Sequence, residues 1–307
     1  MSGATRMTSA THRPRLALGP MLYYWPKARV EAFYDWVATA PVEIVYLGET
    51  ICSKRKEQRY EDWLALAERL TAAGKEVVLS TLSLLEAESE LIRLRALCDQ
   101  DRYLVEANDM GAVQLLRGKP FVVGHSVNIY NDRALALLAH HGLKRWVFPV
   151  ELTAETLAEM QALRPAGVET EVFAYGRLPL AYSARCFTAR ARNLPKDDCQ
   201  YCCIDYPDGL EVATQENQRF LALNGIQTQS ARSVNLLPYL ARLSELRVDI
   251  LRISPQAEHT QTIVALFRQA LDGTLDPLEA SARIEPLTPA GSCDGYWRGA
   301  AGMAAAR

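Results

Sequence analysis

The feature that most constrains the fold is an alternation along the chain. Eight short runs rich in β-branched and aromatic residues occur at 16–22, 43–47, 76–82, 103–106, 120–123, 145–150, 169–175 and 248–253. Several are separated by segments whose apolar residues recur at helical spacing, such as Trp63, Leu64, Ala67 and Leu70, then Leu91, Leu94, Leu97 and Cys98. Strands joined through helices pair in parallel, because a parallel neighbour needs a long crossover. Eight such units predict an α/β, (β/α)8 TIM-barrel-like single domain over residues 16–285. Residues 1–15, rich in Thr, Ser and Arg and without an apolar stretch, are expected to be a disordered leader, and 286–307 a C-terminal tail. The last βα unit is delayed by an insertion at 183–235. Within it Asn224-Gly225, flanked by alternating apolar residues, predicts a β-hairpin with a type I′ turn.

The insertion also carries most of the chemistry. Four of the seven cysteines, Cys186, Cys199, Cys202 and Cys203, crowd one polar stretch, and Cys52 lies far upstream in Gly48-Glu-Thr-Ile-Cys52-Ser-Lys-Arg55. Without a secretory signal or a membrane-length apolar run, a cytoplasmic setting is expected, where clustered loop cysteines point to metal or redox chemistry rather than disulfides. In a barrel the βα loops open on the face at the strands' C-terminal ends. Cys52 follows the strand ending at Leu47 and Cys186 the strand ending at Tyr175, so topology puts both on that face. Spacing alone leaves the metal open. Cys199-Gln-Tyr-Cys202 is a CxxC that suits zinc, and four thiolates suit an iron-sulfur cluster equally.

Certain segments resemble a known family. Glu171-Val-Phe-Ala-Tyr-Gly176, followed by Ala181-Tyr-Ser-Ala-Arg-Cys186, is similar to the signature of the collagenase-like peptidase family. Tyr46-Leu-Gly-Glu-Thr-Ile-Cys52, Asn128-Ile-Tyr-Asn131, Cys186-Phe-Thr-Ala-Arg-Ala-Arg192, Asn224-Gly-Ile-Gln-Thr-Gln-Ser230 and Gly295-Tyr-Trp297 resemble its branch in oxygen-independent ubiquinone biosynthesis. The resemblance implies a 4Fe-4S cluster held by Cys52, Cys186, Cys199 and Cys203. It implies a heterodimer with a paralogous UbiU-like subunit, and hydroxylation of a quinone precursor without O2, with prephenate as the oxygen source. Tyr175 stands where the family's signature has His, which weakens a peptidase reading. The alternatives are a non-catalytic electron-transfer or scaffold subunit and a zinc-bound peptidase-like protein.

The other cysteines read differently. Cys98 lies on an apolar helical stripe and is expected in the core. Cys202 is passed over because adjacent side chains diverge, and the family spacing selects Cys203. Cys293 is expected to be a free thiol in the tail. Strand-end polar residues are candidates for lining a pocket: Glu106 with Asn108 and Asp109, His125 with Asn128, Glu151, and Arg252 with Ser254, each competing with a role as a helix cap. Arg177 and Arg252 are the cations suited to a dicarboxylate. A formal net charge of -2 gives no footprint for nucleic acid or anionic lipid. No Gly-x-Ser-x-Gly elbow, phosphate loop or dinucleotide fingerprint is present. Histidines 12, 125, 140, 141 and 259 offer no two-His-one-carboxylate centre.

Overall fold

A computed structural model describes residues 12–305 and shows the eight-unit barrel. Strands β1 (Arg15–Leu18), β2 (Ile44–Leu47), β3 (Glu76–Ser80), β4 (Leu104–Ala107), β5 (Phe121–Val123), β6 (Leu143–Val147) and the first half of β7 (Glu169–Tyr182) pair in parallel in chain order. Three antiparallel strands follow, β8 (Leu210–Ala213), β9 (Arg219–Asn224) and β10 (Gln227–Asn235). The chain then returns through β11 (Ile250–Ile253), which pairs in parallel with both β1 and β7 and closes the barrel. A short β12 (Ser292–Cys293) adds to β10. Around the barrel run α1 (Lys27–Thr39), α2 (Tyr60–Ala72), α3 (Glu88–Asp99), α4 (Met110–Leu115), α5 (Asp132–His140) and α6 (Ala154–Ala162), then α7 (Phe187–Ala191) in the insertion, and α8 (Leu240–Glu245), α9 (Thr260–Leu271) and α10 (Pro277–Ile284). Of the expected leader, residues 1–11 lie outside the described residues. Arg15 already opens β1, and His12 bonds the Val248 carbonyl at 2.8 Å.

Alternation sorts the strand side chains into two cores. Leu16, Leu18, Val45, Leu47, Val77 and Leu79 face outward and pack under the helices against residues such as Tyr34, Leu66, Leu94 and Phe267. Ala17, Ile44, Tyr46, Val78, Val122, Val147 and Ile250 fill the lumen. Charged residues share that lumen. At the strands' N-terminal ends Arg145, with its side chain 2% exposed, meets Glu76 at 2.6 Å and Glu169 at 2.8 Å, while Arg15 reaches Glu76 at 3.1 Å and also pairs with Glu169. One layer up, Arg252 bonds Glu171 at 2.6 Å and Glu106 at 2.7 Å and lies 4.0 Å over the Tyr46 ring. Tyr46 joins the layers, donating to Glu171 and accepting from Arg145 at 3.2 Å. Arg145 and Arg252, the two buried lumen guanidinium groups, are thus each matched by at least two carboxylates, which is what keeps a buried ion tolerable.

The insertion grows out of β7 without a break in the strand. Gly176 makes this possible. Its φ is +133°, and a Cβ there would sit 2.6 Å from Ser254 Cβ, so only glycine fits. Beyond it β7 leaves the barrel and pairs antiparallel with β10, from Tyr175↔Asn235 to Tyr182↔Gln227. The predicted hairpin forms between β9 and β10, but its turn differs from type I′. Asn224 pairs with Gln227, so the two central residues are Gly225 and Ile226, and only Gly225 has positive φ, +63°. Positive φ at the first central residue alone is the type II′ pattern.

Candidate metal centre and barrel mouth

The loop after β2 and the inserted loop are tied to one platform, the β9–β10 turn. Phe187 N donates to Gly225 O at 2.9 Å, Gly225 N to Thr188 Oγ1 at 2.9 Å, and Ser183 N to Ile226 O at 2.9 Å, which fixes the segment around Cys186 to the turn. From the other side Arg55 Nη2 donates to Asn224 Oδ1 at 2.7 Å and Nη1 to Leu22 O at 2.7 Å. Asn224 Nδ2 donates to the same Leu22 carbonyl at 2.7 Å. Lys54 Nζ bonds Lys196 O at 3.1 Å and pairs with Asp197, joining the first loop to the stretch that leads into Cys199. Glu49 accepts from Ile51 N at 2.9 Å and Cys52 N at 3.0 Å, which shapes the turn that presents Cys52.

The seven cysteines are free, and Cys52, Cys186, Cys199 and Cys203 are half-buried. Cys52 and Cys186 pack beside Ile51, Ile226 and Leu22. Cys203 lies within electrostatic reach of Cys52, Cys186 and Arg55, and Lys54 within reach of Cys52 and Cys199. Cys202 is buried and lies within electrostatic reach of Cys186 and Cys199. Burial pushes the Cys203 thiol up to about 11 and raises Cys52 as well, so in the bare protein both hold their protons. A bound cation reverses that preference, because a coordinating thiol is deprotonated outright. Among the described residues no group of three or more His, Cys, Asp or Glu side chains is arranged to hold a metal ion. A single zinc needs its four sulfurs within about 2.3 Å of one point. A four-iron cubane holds its ligands around a larger body, and an all-thiol donor set on two converging loops suits that group. Cys98, on α3, is fully buried in the main core, and Cys293 is 1% exposed in β12.

Next to this crossing is the barrel mouth. Glu106 is fully buried and accepts from Ser80 Oγ at 2.6 Å and Asn108 Nδ2 at 3.3 Å. The His125 ring packs edge-on to Phe173, and its Nε2 lies 3.3 Å from Tyr182 Oη. Its Nδ1 is buried without a hydrogen-bond partner among the described residues, as are Arg252 Nη2 and Gln229 Nε2. Burial, reinforced by the Arg252 cation, pulls His125 down to about 3, so it is neutral at ordinary pH. Tyr182, pushed up to about 12 by burial, also accepts from Gln227 Nε2 at 3.1 Å and packs beside Cys52 and Cys186. It is the side chain shared by the mouth and the thiol crossing.

The candidates from sequence thus divide. Glu106, Asn108, His125 and Arg252 meet at the mouth. Asp109 is the N-cap of α4, accepting from Ala112 N at 2.8 Å, and Glu151 pairs with Tyr130. Arg177 and Arg252 are not open cations. Arg177 bonds the Asp208 carbonyl and lies 3.4 Å from Glu211, and Arg252 is held by its two carboxylates. Arg55, Tyr182 and the lumen residues Glu76, Arg145, Glu169 and Glu171 had no place among the candidates, although Arg145, Glu169 and Glu171 interrupt what would otherwise be apolar parallel strands.

Comparison with known proteins adds to this geometry. The sequence profile of a family described as Peptidase family U32 matches residues 28–301. A curated relative, the "tRNA hydroxylation protein P1" of Bacillus subtilis (strain 168), is 26% identical over 157 residues, which is 47% of this chain and 36% of that protein. The chain therefore matches little more than a third of that relative's length. Among solved structures, the U32 peptidase Mk0906 aligns over 83% of this chain and 98% of its own with a TM-score of 0.46 and 11% identity. The Bacillus cereus spore cortex-lytic enzyme SleL aligns over 83% and 75% with a TM-score of 0.41 and 10% identity.

Proposed function

The chain belongs to peptidase family U32, and from that premise we propose that it is the iron-sulfur subunit of an O2-independent hydroxylase rather than a protease. The observation that carries this reading is the crossing itself: two loops distant in sequence, bearing Cys52 on one side and Cys186, Cys199 and Cys203 on the other, are tied to the same Asn224–Gly225 turn. Those four cysteines would hold a 4Fe-4S cluster, which when bound supplies one-electron chemistry. The Bacillus subtilis relative is named for tRNA hydroxylation, a reaction of the same class.

The finer reading is that this chain is similar to UbiV and works as a heterodimer with a UbiU-like paralogue on a quinone precursor, with prephenate supplying the oxygen. What its own residues do is more local. Tyr182 and neutral His125 offer a hydroxyl and an imidazole at the mouth, and the unpaired Arg252 Nη2 a donor. A hydrolytic reading gains no support from the site, since Tyr175 at the family's His position is fully buried and directed to Gln256 at 3.2 Å.

The test is a deletion strain grown with and without air, with ubiquinone measured in both. The proposal expects a deficit confined to growth without air, restored by the native gene and not by Cys186→Ala. A deficit only in air, or full restoration by Cys186→Ala, would overturn it.

A further inference from the structure

Arg55 is a buried cation with too little negative charge around it. Its side chain is 2% exposed, yet Glu49, at 3.3 Å, is the carboxylate it meets. Its remaining bonds go to neutral acceptors, Leu22 O and Asn224 Oδ1, both at 2.7 Å, and its Nε is buried without a partner. Tyr24 covers one face of the guanidinium, whose Cζ is 5.5 Å from the ring centroid. The hairpin tip packs beside it: a Cβ on Gly225 would lie 3.5 Å from Arg55 Nη2, an ordinary contact. Glu49 is itself shared with the amides of Ile51 and Cys52. The lumen arginines show what full compensation looks like in this fold, two carboxylates per guanidinium. A cation buried with less than that calls for an anion nearby, and the thiols of Cys203 and Cys52 lie close enough to interact with its charge.

We propose that Arg55 is a positioning residue for the thiol-bound centre, its guanidinium hydrogen-bonding the Cys203 sulfur and balancing the net negative charge of a cluster carried by four thiolates. The inference rests on the iron-sulfur reading above. Two consequences follow. Arg55 favours Cys203 over its neighbour Cys202 as the ligand, since Cys203 is the one whose charge it interacts with. It also favours the reduced cluster, which carries one more negative charge, and so raises the reduction potential; net charge and hydrogen bonds to sulfur are among the factors that set it.

The experiment compares native protein, Arg55→Gln and Arg55→Lys, each purified anaerobically and reconstituted with ferrous iron and sulfide. Iron, sulfide and zinc are quantified, and the cluster is titrated with dithionite while its electron paramagnetic resonance is followed. Arg55→Gln should lower the reduced-to-oxidised ratio at fixed ambient potential by about tenfold or more, equivalent to about 59 mV for a one-electron couple. Arg55→Lys, which keeps the charge and loses the planar fork, should fall between. An Arg55→Gln cluster with the native potential would overturn the proposal. If Arg55→Gln does not fold, Glu49→Gln carries the test with opposite sign: removing the one counter-carboxylate should raise the potential, and an unchanged or lower value would overturn the inference. Colourless native protein holding zinc would instead mean that the iron-sulfur reading had failed, a result distinct from any of these.

Discussion

The lumen of the barrel and the crossing of the cysteine loops bury the same kind of group and treat it in opposite ways. In the lumen, Arg145 and Arg252 are each held by a pair of carboxylates, Glu76 with Glu169 and Glu106 with Glu171, and Tyr46 ties the two layers together. Nothing external is needed to balance that set. At the crossing, Arg55 has, among the described residues, Glu49 as its carboxylate and otherwise neutral acceptors, with thiols as its neighbours. The contrast teaches that the lumen charges are balanced from within the barrel, whereas the crossing buries a cation with one carboxylate and with thiols beside it.

Breaking the lumen should therefore cost the most stability. Arg252→Met leaves the fully buried Glu106 and Glu171 without their shared cation, and removing one partner of a buried ion set typically costs about 3–5 kcal/mol. Urea unfolding of the metal-free protein should show a loss of that order. A loss below about 1 kcal/mol would mean that solvent balances the lumen and that the contrast with Arg55 is false.

A smaller effect is expected at the platform. Gly225→Val forces a β-branched residue into φ +63°, a strain of about 1–3 kcal/mol. Because the turn anchors both loops through Phe187, Thr188 and Arg55, the variant should lose its metal content before it loses the barrel. Circular dichroism with iron analysis separates the two. Retained iron in a folded variant would show that the turn does not hold the loops together.

The third effect concerns pH and is confined to acid conditions. His125 is held at about 3 in the fold against an ordinary 6.5, by burial and by Arg252. Between those two values the unfolded chain binds a proton that the folded chain refuses, so stability falls as pH drops from about 6.5 and levels off below about 3. His125→Phe should flatten that part of the stability profile and leave the rest unchanged. An unaltered slope would show that the ring is already solvated.

How much of this was legible beforehand follows the same division. The eight barrel strands were readable because outward-facing Leu, Val and Ile recur in every run, and helical spacing between them forces parallel pairing. The hairpin was readable from Asn224-Gly225, but its turn type was not, because the register that makes Gly225 and Ile226 the central pair is set by β7 pairing with β10. The lumen network was hidden for a related reason: Glu106, Arg145, Glu171 and Arg252 lie on different strands, and only closure of the barrel brings them together. Cys52 and Cys186 could be placed on one face from topology alone. Arg55 could not be singled out, since an arginine beside a lysine in a loop reads as solvated surface until the fold buries it.

The central claim is that the four cysteines form one iron-sulfur centre, and metal analysis of ligand variants tests it most directly. Protein purified without oxygen should contain about four iron and four sulfide per chain and show a broad visible absorbance that bleaches on reduction. Ala at Cys52, Cys186, Cys199 or Cys203 should abolish iron, sulfide and colour together, while Cys98→Ala and Cys202→Ala keep all three. Native protein with about one zinc and no sulfide, or full iron in Cys203→Ala with loss in Cys202→Ala, would contradict the account.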